Sequence, residues 1–121
     1  MKKELPHAVF VYGTLMRGQR ANDMMAEGVY AGEYTLPGYA MYDLGRYPGI
    51  VPRKGCQVEG EVYFVSETML TAMDDYEEEG SLYHRREVTV QSEKGERAAW
   101  AYIYAREVSG SPVTCRWGGK D

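Results

Sequence analysis

The sequence has few of the residues that bind metal ions or form disulfides. It contains two histidines, His7 and His84, and two cysteines, Cys56 and Cys115, which lie far apart and form no C-x-x-C pair. A zinc site uses several such ligands at short spacings, so we do not expect one here. Two reduced thiols are the simplest interpretation, as in most proteins of a reducing compartment.

Positive charge and long apolar segments are scarce too. The 14 Lys and Arg residues are outnumbered by 18 Asp and Glu residues, and the net charge is −4 with the histidines neutral. Nucleic acids and anionic membranes bind basic surfaces, so we expect neither as a partner. Apolar runs such as residues 8–12 are much shorter than the roughly 20 residues of a membrane-spanning helix. The first residues contain no apolar segment long enough for a signal peptide, and we therefore expect a cytoplasmic protein.

Length and composition favour one β-rich domain. A chain of 121 residues is close to the usual size of a single domain with one core. Eleven tyrosines against two phenylalanines and two tryptophans, together with 14 glycines, are typical of twisted strands and tight turns. The polar, glycine-containing segment 109–121 predicts a loose C-terminal tail after a domain of residues 1–108.

Periodicity and glycine positions predict more strands than helices. The predicted strands are residues 7–12, 30–36, 39–44, 57–65, 83–91 and 97–106. Helices are predicted at residues 21–27 and from Ser66, which can cap the first turn, to Gly80. Loops are predicted at residues 37–38, 45–49 and 92–96. We predict an α+β fold, in which a small, strongly twisted or barrel-like sheet carries two short helices on its outside.

The loop after the first strand is one candidate site. The sequence contains neither a G-x-S-x-G motif nor a phosphate-binding P-loop. In the segment Tyr12-Gly13-Thr14-Leu15, a glycine directly after a strand can direct successive backbone N–H groups to one side. Such groups bind a carboxylate or a developing oxyanion, and Thr14 adds a hydroxyl. The alternative is an ordinary turn glycine with no ligand.

An acidic run is a second candidate. Residues 74–79 contain five carboxylates at the C-terminal end of a predicted helix, where the helix dipole disfavours negative charge. The run is a solvated helix end, a calcium site whose spacing departs from the EF-hand pattern, or the source of a proton-transfer carboxylate. Glu77 lies at the border of the apolar stripe that contains Met73 and Tyr76. Partial burial and neighbouring like charges would raise its pKa toward neutrality.

The start of the next predicted strand is a third candidate. Tyr83 and Arg85 are two residues apart, so they face one side of the strand, with His84 on the other. Arg85 can hold a substrate carboxylate through two hydrogen bonds, or it can form a surface ion pair with the acidic run.

Five segments form an ordered pattern over residues 8–104. They are VFVYGTL with the following RG (residues 9–15 and 17–18), LGRYPG (44–49), VEGEVY (58–63), MDDYE (73–77) and LYHR (82–85). This pattern resembles the gamma-glutamylcyclotransferase-like superfamily, and within it the gamma-glutamylamine cyclotransferase and AIG2-like branch.

The resemblance implies a small mixed β-barrel flanked by helices, and an enzyme that needs no cofactor and no metal. Members of the family cleave a gamma-glutamyl amide by cyclising its glutamyl half to 5-oxoproline, which releases an amine or amino acid. The resemblance assigns catalytic proton transfer to Glu77. We predict substrate binding by Tyr12, Gly13, Thr14, Leu15, Tyr83 and Arg85.

The acidic extension Glu78-Glu79 departs from the family pattern and favours a cationic leaving group. The alternative function is a non-catalytic domain that binds gamma-glutamyl compounds or small amines. The sequence does not indicate the oligomeric state.

Overall fold

A computed structural model of the protein describes residues 5–113, 116 and 117. These residues form five strands, one α-helix and one short 3₁₀ helix. The strands are β1 (His7–Val11), β2 (Val29–Asp43), β3 (Pro48–Val65), β4 (Tyr83–Ser92) and β5 (Gly95–Tyr104). The α-helix, α1, is Glu67–Tyr76, and the 3₁₀ helix, Asn22–Met25, lies between β1 and β2.

The strands close into a barrel in the order β1-β3-β2-β4-β5. Neighbouring strands are antiparallel except for β1 and β5, which run parallel with Val9 opposite Trp100. The predicted small mixed barrel is therefore confirmed.

The ribbon of β2 and β3 is longer than the sequence indicated. Residues 30–36 and 39–44 were predicted as two strands separated by a turn, but residues 30–36 and 39–43 both belong to β2. Pro37 pairs with Gln57, and the register shifts before Tyr39 pairs with Pro52. Gly38 there has a φ of +83°, so the chain bulges instead of turning back. Residues 48–56, for which the sequence predicted no strand, form the first part of β3.

The helices also differ in extent from the prediction. The Ser66 hydroxyl accepts a hydrogen bond from the Met69 N–H at 3.1 Å, which confirms the predicted cap of α1. The helix ends at Tyr76 rather than near Gly80, because Glu78 adopts a left-handed backbone with a φ of 53°. The helix predicted at residues 21–27 is the four-residue 3₁₀ helix. The predicted loop at 92–96 is a tighter turn, since β4 and β5 include Ser92 and Gly95.

One apolar core fills the barrel and the interface with α1. Its most deeply buried side chains include Phe10, Ile50, Val58, Val62, Leu70 and Met73. The domain boundary at residue 108 stays a prediction. Beyond it, the Val113 N–H donates to the Met41 carbonyl at 2.9 Å and Trp117 is buried against the core. Cys115 lies outside the described residues.

In the described part of the chain, Cys56 is a half-buried free thiol. None of the described helices is long and apolar enough to span a membrane.

Candidate active site

A cavity of about 280 Å³ lies where β1 ends, β3 begins and α1 leads into β4. Six of the residues predicted to form a site line it: Tyr12, Gly13, Thr14, Leu15, Glu77 and Tyr83. Arg85 does not line the cavity. The barrel therefore gathers three segments that are far apart in sequence around one concave site, as ligand sites usually require.

Glu77 is the acidic group of this cavity. It follows the last residue of α1, and its backbone N–H donates to the Met73 carbonyl at 2.9 Å. Burial of the carboxyl raises its pKa from an ordinary 4.5 to about 7. Desolvation is the cause of the raised pKa. We had also expected repulsion from neighbouring carboxylates to raise it, and this repulsion does not contribute. Glu77 is consequently poised to accept and donate a proton near neutral pH.

The residue after Glu77 fixes the turn that presents it. Glu78 lies in the left-handed region, which a side chain with a Cβ seldom occupies and which costs about 1 kcal/mol. Its carbonyl accepts hydrogen bonds from the N–H groups of Ser81 and Leu82, both at 3.0 Å. These two bonds stabilise the strained turn, and the turn fixes the backbone conformation at Glu77.

The loop after β1 forms the opposite wall. Gly13 packs so closely that an added Cβ would lie 2.8 Å from Cγ of Pro48, which explains why a side chain is absent here. The carbonyl of Thr14 accepts from the Ala21 N–H at 3.0 Å. Within residues 5–113, 116 and 117, no acceptor pairs with the backbone N–H of Thr14 or Leu15. We call residues 12–15 the cradle, because these N–H groups remain for an anionic ligand.

Two buried tyrosines shape the cavity without offering protons. The Tyr12 hydroxyl donates to the Tyr102 carbonyl at 2.6 Å, and the Tyr83 hydroxyl donates to the Pro48 carbonyl at 2.7 Å. Burial raises the pKa of both phenols further above the usual 10, so both stay neutral. Their hydrogen bonds lock the rings in place as walls.

Arg85 forms an ion pair with the acidic run. Its Nε lies 2.8 Å from Oδ1 of Asp74 and its Nη2 lies 3.3 Å from Oδ2. The Tyr102 hydroxyl donates to the same Asp74 oxygen at 2.7 Å, and the guanidinium lies 4.5 Å from the centre of the Trp100 ring. This ion pair offsets the unfavourable interaction between the Asp74 carboxylate and the negative C-terminal end of the dipole of α1.

Two cavity arginines were missed in the sequence. Arg20 and Arg46 both line the cavity, and Nη2 of Arg20 donates to the Arg46 carbonyl at 2.9 Å. Arg46 lies in the predicted loop 45–49, and Arg20 lies between the predicted strand 7–12 and the predicted helix 21–27. An arginine outside the predicted strands and helices was the signal that the sequence offered. They add positive charge to a site that already offers N–H donors.

The described residues contain no group of three or more His, Cys, Asp or Glu side chains placed to hold a metal ion. The arrangement offers a carboxyl with a pKa near 7, N–H donors and two guanidinium groups, which suits proton transfer on a small anionic substrate.

Comparison with known proteins gives the family. The sequence profile described as gamma-glutamyl cyclotransferase, AIG2-like, matches residues 9–118. The chain belongs to this AIG2-like gamma-glutamyl cyclotransferase family. A gamma-glutamylcyclotransferase family protein of Citrobacter rodentium, ytfP, is 38% identical over 102 residues, covering 84% of this chain and 85% of that one.

Mammalian relatives of the family are also similar. Human gamma-glutamylaminecyclotransferase is 40% identical over 93 residues, which cover 69% of this chain and 61% of the human protein. The crystal structure of a mouse AIG2-like protein superposes with a TM-score of 0.77 at 29% identity, covering 84% of this chain and 79% of the mouse chain. The barrel described above is thus the fold of the family.

Proposed function

We propose that this protein is a gamma-glutamyl cyclotransferase that cleaves a gamma-glutamyl amide and releases 5-oxoproline and a free amine or amino acid. The observation that carries the proposal is the carboxyl of Glu77, which has a pKa of about 7 and faces a cavity shared with the cradle. Membership of the family supports the same reaction class.

The reaction balances with one carboxyl group. The α-amine nitrogen of the substrate attacks its own γ-carbonyl carbon, and a five-membered ring closes. Glu77 takes a proton from the attacking nitrogen and then gives it to the departing nitrogen as the amide C–N bond breaks. No net proton is consumed and no enzyme nucleophile is needed, which agrees with the lack of a G-x-S-x-G motif.

Substrate positioning supplies much of the rate in this proposal. Intramolecular attack can reach effective molarities of about 10⁵ M or more when the reacting atoms are held together. The backbone N–H groups of Thr14 and Leu15 hold the α-carboxylate of the substrate or the oxyanion on the γ-carbonyl. The rings of Tyr12 and Tyr83 keep the bound glutamyl group folded.

In this proposal the leaving group contacts charged side chains of the cavity, which are Arg20, Arg46 and Glu78. Arg20 and Arg46 favour a leaving group with a carboxylate, whereas Glu78 favours one with a cation. Glu79, the second residue of the acidic extension, accepts a bond from the Arg85 N–H at 3.3 Å and does not line the cavity.

A substrate panel tests the proposal. The protein is incubated with gamma-glutamyl amino acids, Nε-gamma-glutamyl-lysine, gamma-glutamyl alkylamines and glutathione, and 5-oxoproline is quantified. We expect release from at least one class, undiminished by prolonged chelation. Binding of these compounds without 5-oxoproline across the panel would contradict the enzyme and support a non-catalytic binding domain instead.

A further inference from the structure

Glu61 on β3 is a buried carboxylate that takes no part in the proposed proton transfer. Only 1% of its surface is exposed, and it does not line the active-site cavity. Burying a carboxylate is costly unless hydrogen bonds and opposite charges compensate for the lost water. A carboxylate buried at this position therefore needs hydrogen-bond donors and positive charges close to it.

Those partners come from two ends of the chain. Oε1 of Glu61 accepts the backbone N–H of Arg17 at 2.9 Å, while Oε2 lies 3.6 Å from Nε of Arg17. Nη2 of Arg116 lies 3.6 Å from the same Oε2, and its Nη1 lies 3.1 Å from Oε1 of Glu33. Glu33 is directly opposite Glu61 in the β2–β3 register, so Arg116 neutralises two carboxylates that would otherwise repel each other.

Arg17 is fixed through both its backbone and its side chain. Its guanidinium carbon lies 3.8 Å from the centre of the Tyr30 ring, and its Nε faces Glu61. The backbone bond to Glu61 determines where the loop after β1 passes over β3. Removing the carboxylate leaves that N–H without its acceptor.

The loop held in this way contains the cradle. Arg17 follows Leu15 by two residues. The carbonyl of Leu15 is held separately, since it accepts from Nδ2 of Asn22 at 2.8 Å and the same Nδ2 donates to the Tyr63 hydroxyl at 3.2 Å. Two residues of β3, Glu61 and Tyr63, thus fasten the cradle to the barrel wall.

We propose that Glu61 is a positioning residue, which fixes the N–H groups of the cradle on the substrate through Arg17, with Arg116 as a second counter-charge. The inference rests on the proposed function, because the ligand of the cradle is the gamma-glutamyl substrate. It also gives the Arg116 segment, which the sequence predicted as loose tail, a part in the geometry of the site.

The test compares Glu61→Leu and Glu61→Gln with Val90→Ala. Val90 is fully buried on β4 and does not line the cavity, so its truncation destabilises the core without touching the loop. At temperatures where all variants are folded, we expect kcat/KM for 5-oxoproline release to fall by about 10-fold to 100-fold in Glu61→Leu and to be retained in Val90→Ala. Glu61→Gln keeps an amide oxygen for the Arg17 N–H and should recover most of the loss.

Two further readouts distinguish positioning from general stability. The midpoint of the kcat pH profile, set by Glu77, should not move in Glu61→Leu, because Glu61 acts on the loop. Amide hydrogen exchange of Met16, whose N–H donates to the Gly13 carbonyl at 3.1 Å, and of Arg17 should accelerate in Glu61→Leu and not in Val90→Ala. Should Glu61→Leu fold poorly, Arg116→Met removes one counter-charge and should lower kcat/KM below that of Val90→Ala.

The outcomes separate this proposal from the proposed function. A wild-type protein that releases no 5-oxoproline contradicts the function, while unchanged loop exchange in Glu61→Leu overturns the positioning role whether or not the protein is active. Equal kcat/KM in Glu61→Leu and Val90→Ala, or wild-type kcat/KM in Arg116→Met, also overturns it.

Discussion

The hydroxyl of Thr14 lies 2.8 Å from the hydroxyl of Tyr76. Thr14 belongs to the cradle, and Tyr76 is the residue immediately before Glu77. This one hydrogen bond therefore joins the N–H groups proposed to hold the substrate to the end of α1, where Glu77, the proposed proton-transfer residue, follows. It also gives the hydroxyl of Tyr76, which is 40% exposed, a partner that the place of Tyr76 in the apolar stripe did not indicate.

We predict that Thr14→Val and Tyr76→Phe lower kcat/KM by similar, modest factors. A typical hydrogen bond contributes about 0.5–1.5 kcal/mol, or roughly 2-fold to 10-fold. The double variant should lose little more than either single variant, because both changes remove the same bond. Steady-state kinetics of the three variants measure this, and losses that simply add would contradict a shared role.

Gly13→Val should abolish binding of gamma-glutamyl substrates. The new side chain would meet Pro48, since even its Cβ would lie 2.8 Å from Cγ of that ring, and the cradle must move. We expect a loss of about 1–3 kcal/mol of stability from this overpacking. Gly55→Ala is the control: its φ of +86° also disfavours a side chain, but nothing lies within 4 Å. Calorimetric binding at wild-type affinity in Gly13→Val would remove the cradle from the site.

The charged side chains that line the cavity predict that each substitution weakens binding of one class of leaving group. Arg46→Gln should raise KM about tenfold for gamma-glutamyl amino acids, and Glu78→Gln should do so for substrates with a cationic leaving group. Neither change should alter KM for a neutral gamma-glutamyl alkylamine. Parallel kinetics on the three substrate classes measure this. Equal effects on all classes would show that neither side chain contacts the leaving group.

The pKa of Glu77 predicts an unusual pH dependence of stability. Its value of about 7 in the folded protein lies above the ordinary 4.5, so folding disfavours the ionised form. The stability associated with the neutral carboxyl is present below about pH 4.5 and is lost as the pH rises through 7. Glu77→Gln, which is never ionised, should therefore be more stable than wild type at pH 8, by up to about 3 kcal/mol.

Thermal unfolding at several pH values tests this directly. The difference in melting temperature between Glu77→Gln and wild type should shrink as the pH falls from 8 to 5. A variant that is less stable than wild type at pH 8 would mean that the carboxylate is stabilised in the folded protein. The gain in stability predicted for Glu77→Gln is a common consequence of removing a desolvated functional group.

Much of the barrel was predictable because strands and caps leave local signals. The Ser66 cap, the buried stripe of α1 and the hairpin of β4 and β5 follow from residue type and spacing. The extent of β2 was not, since Pro37-Gly38 is a turn dipeptide by composition and becomes a bulge only because β3 pairs on both sides of it. Tertiary pairing decides that outcome.

The candidate site was predictable in part, where its residues leave local signals in the sequence. The place of Glu77 between an apolar stripe and an acidic run indicated a raised pKa, although burial alone proves to be the cause. Arg20 and Arg46 lie 26 residues apart and meet only when the barrel closes, so no local pattern joins them. The choice of Arg85 between Asp74 and a substrate likewise depends on a contact across the fold. Long-range packing is the information that the sequence pattern lacks.

The most direct test of the account is the turnover of Glu77→Gln on a gamma-glutamyl alkylamine that wild type converts. The amide keeps the size of the side chain but cannot carry a proton, so kcat should fall by about 10²-fold to 10⁴-fold with little change in affinity. Asp75→Asn, which removes an exposed carboxylate of the same run outside the cavity, is the matched control and should keep kcat near wild type. Full 5-oxoproline release by Glu77→Gln, or an equal loss in Asp75→Asn, would contradict the assignment of Glu77 as the proton-transfer group.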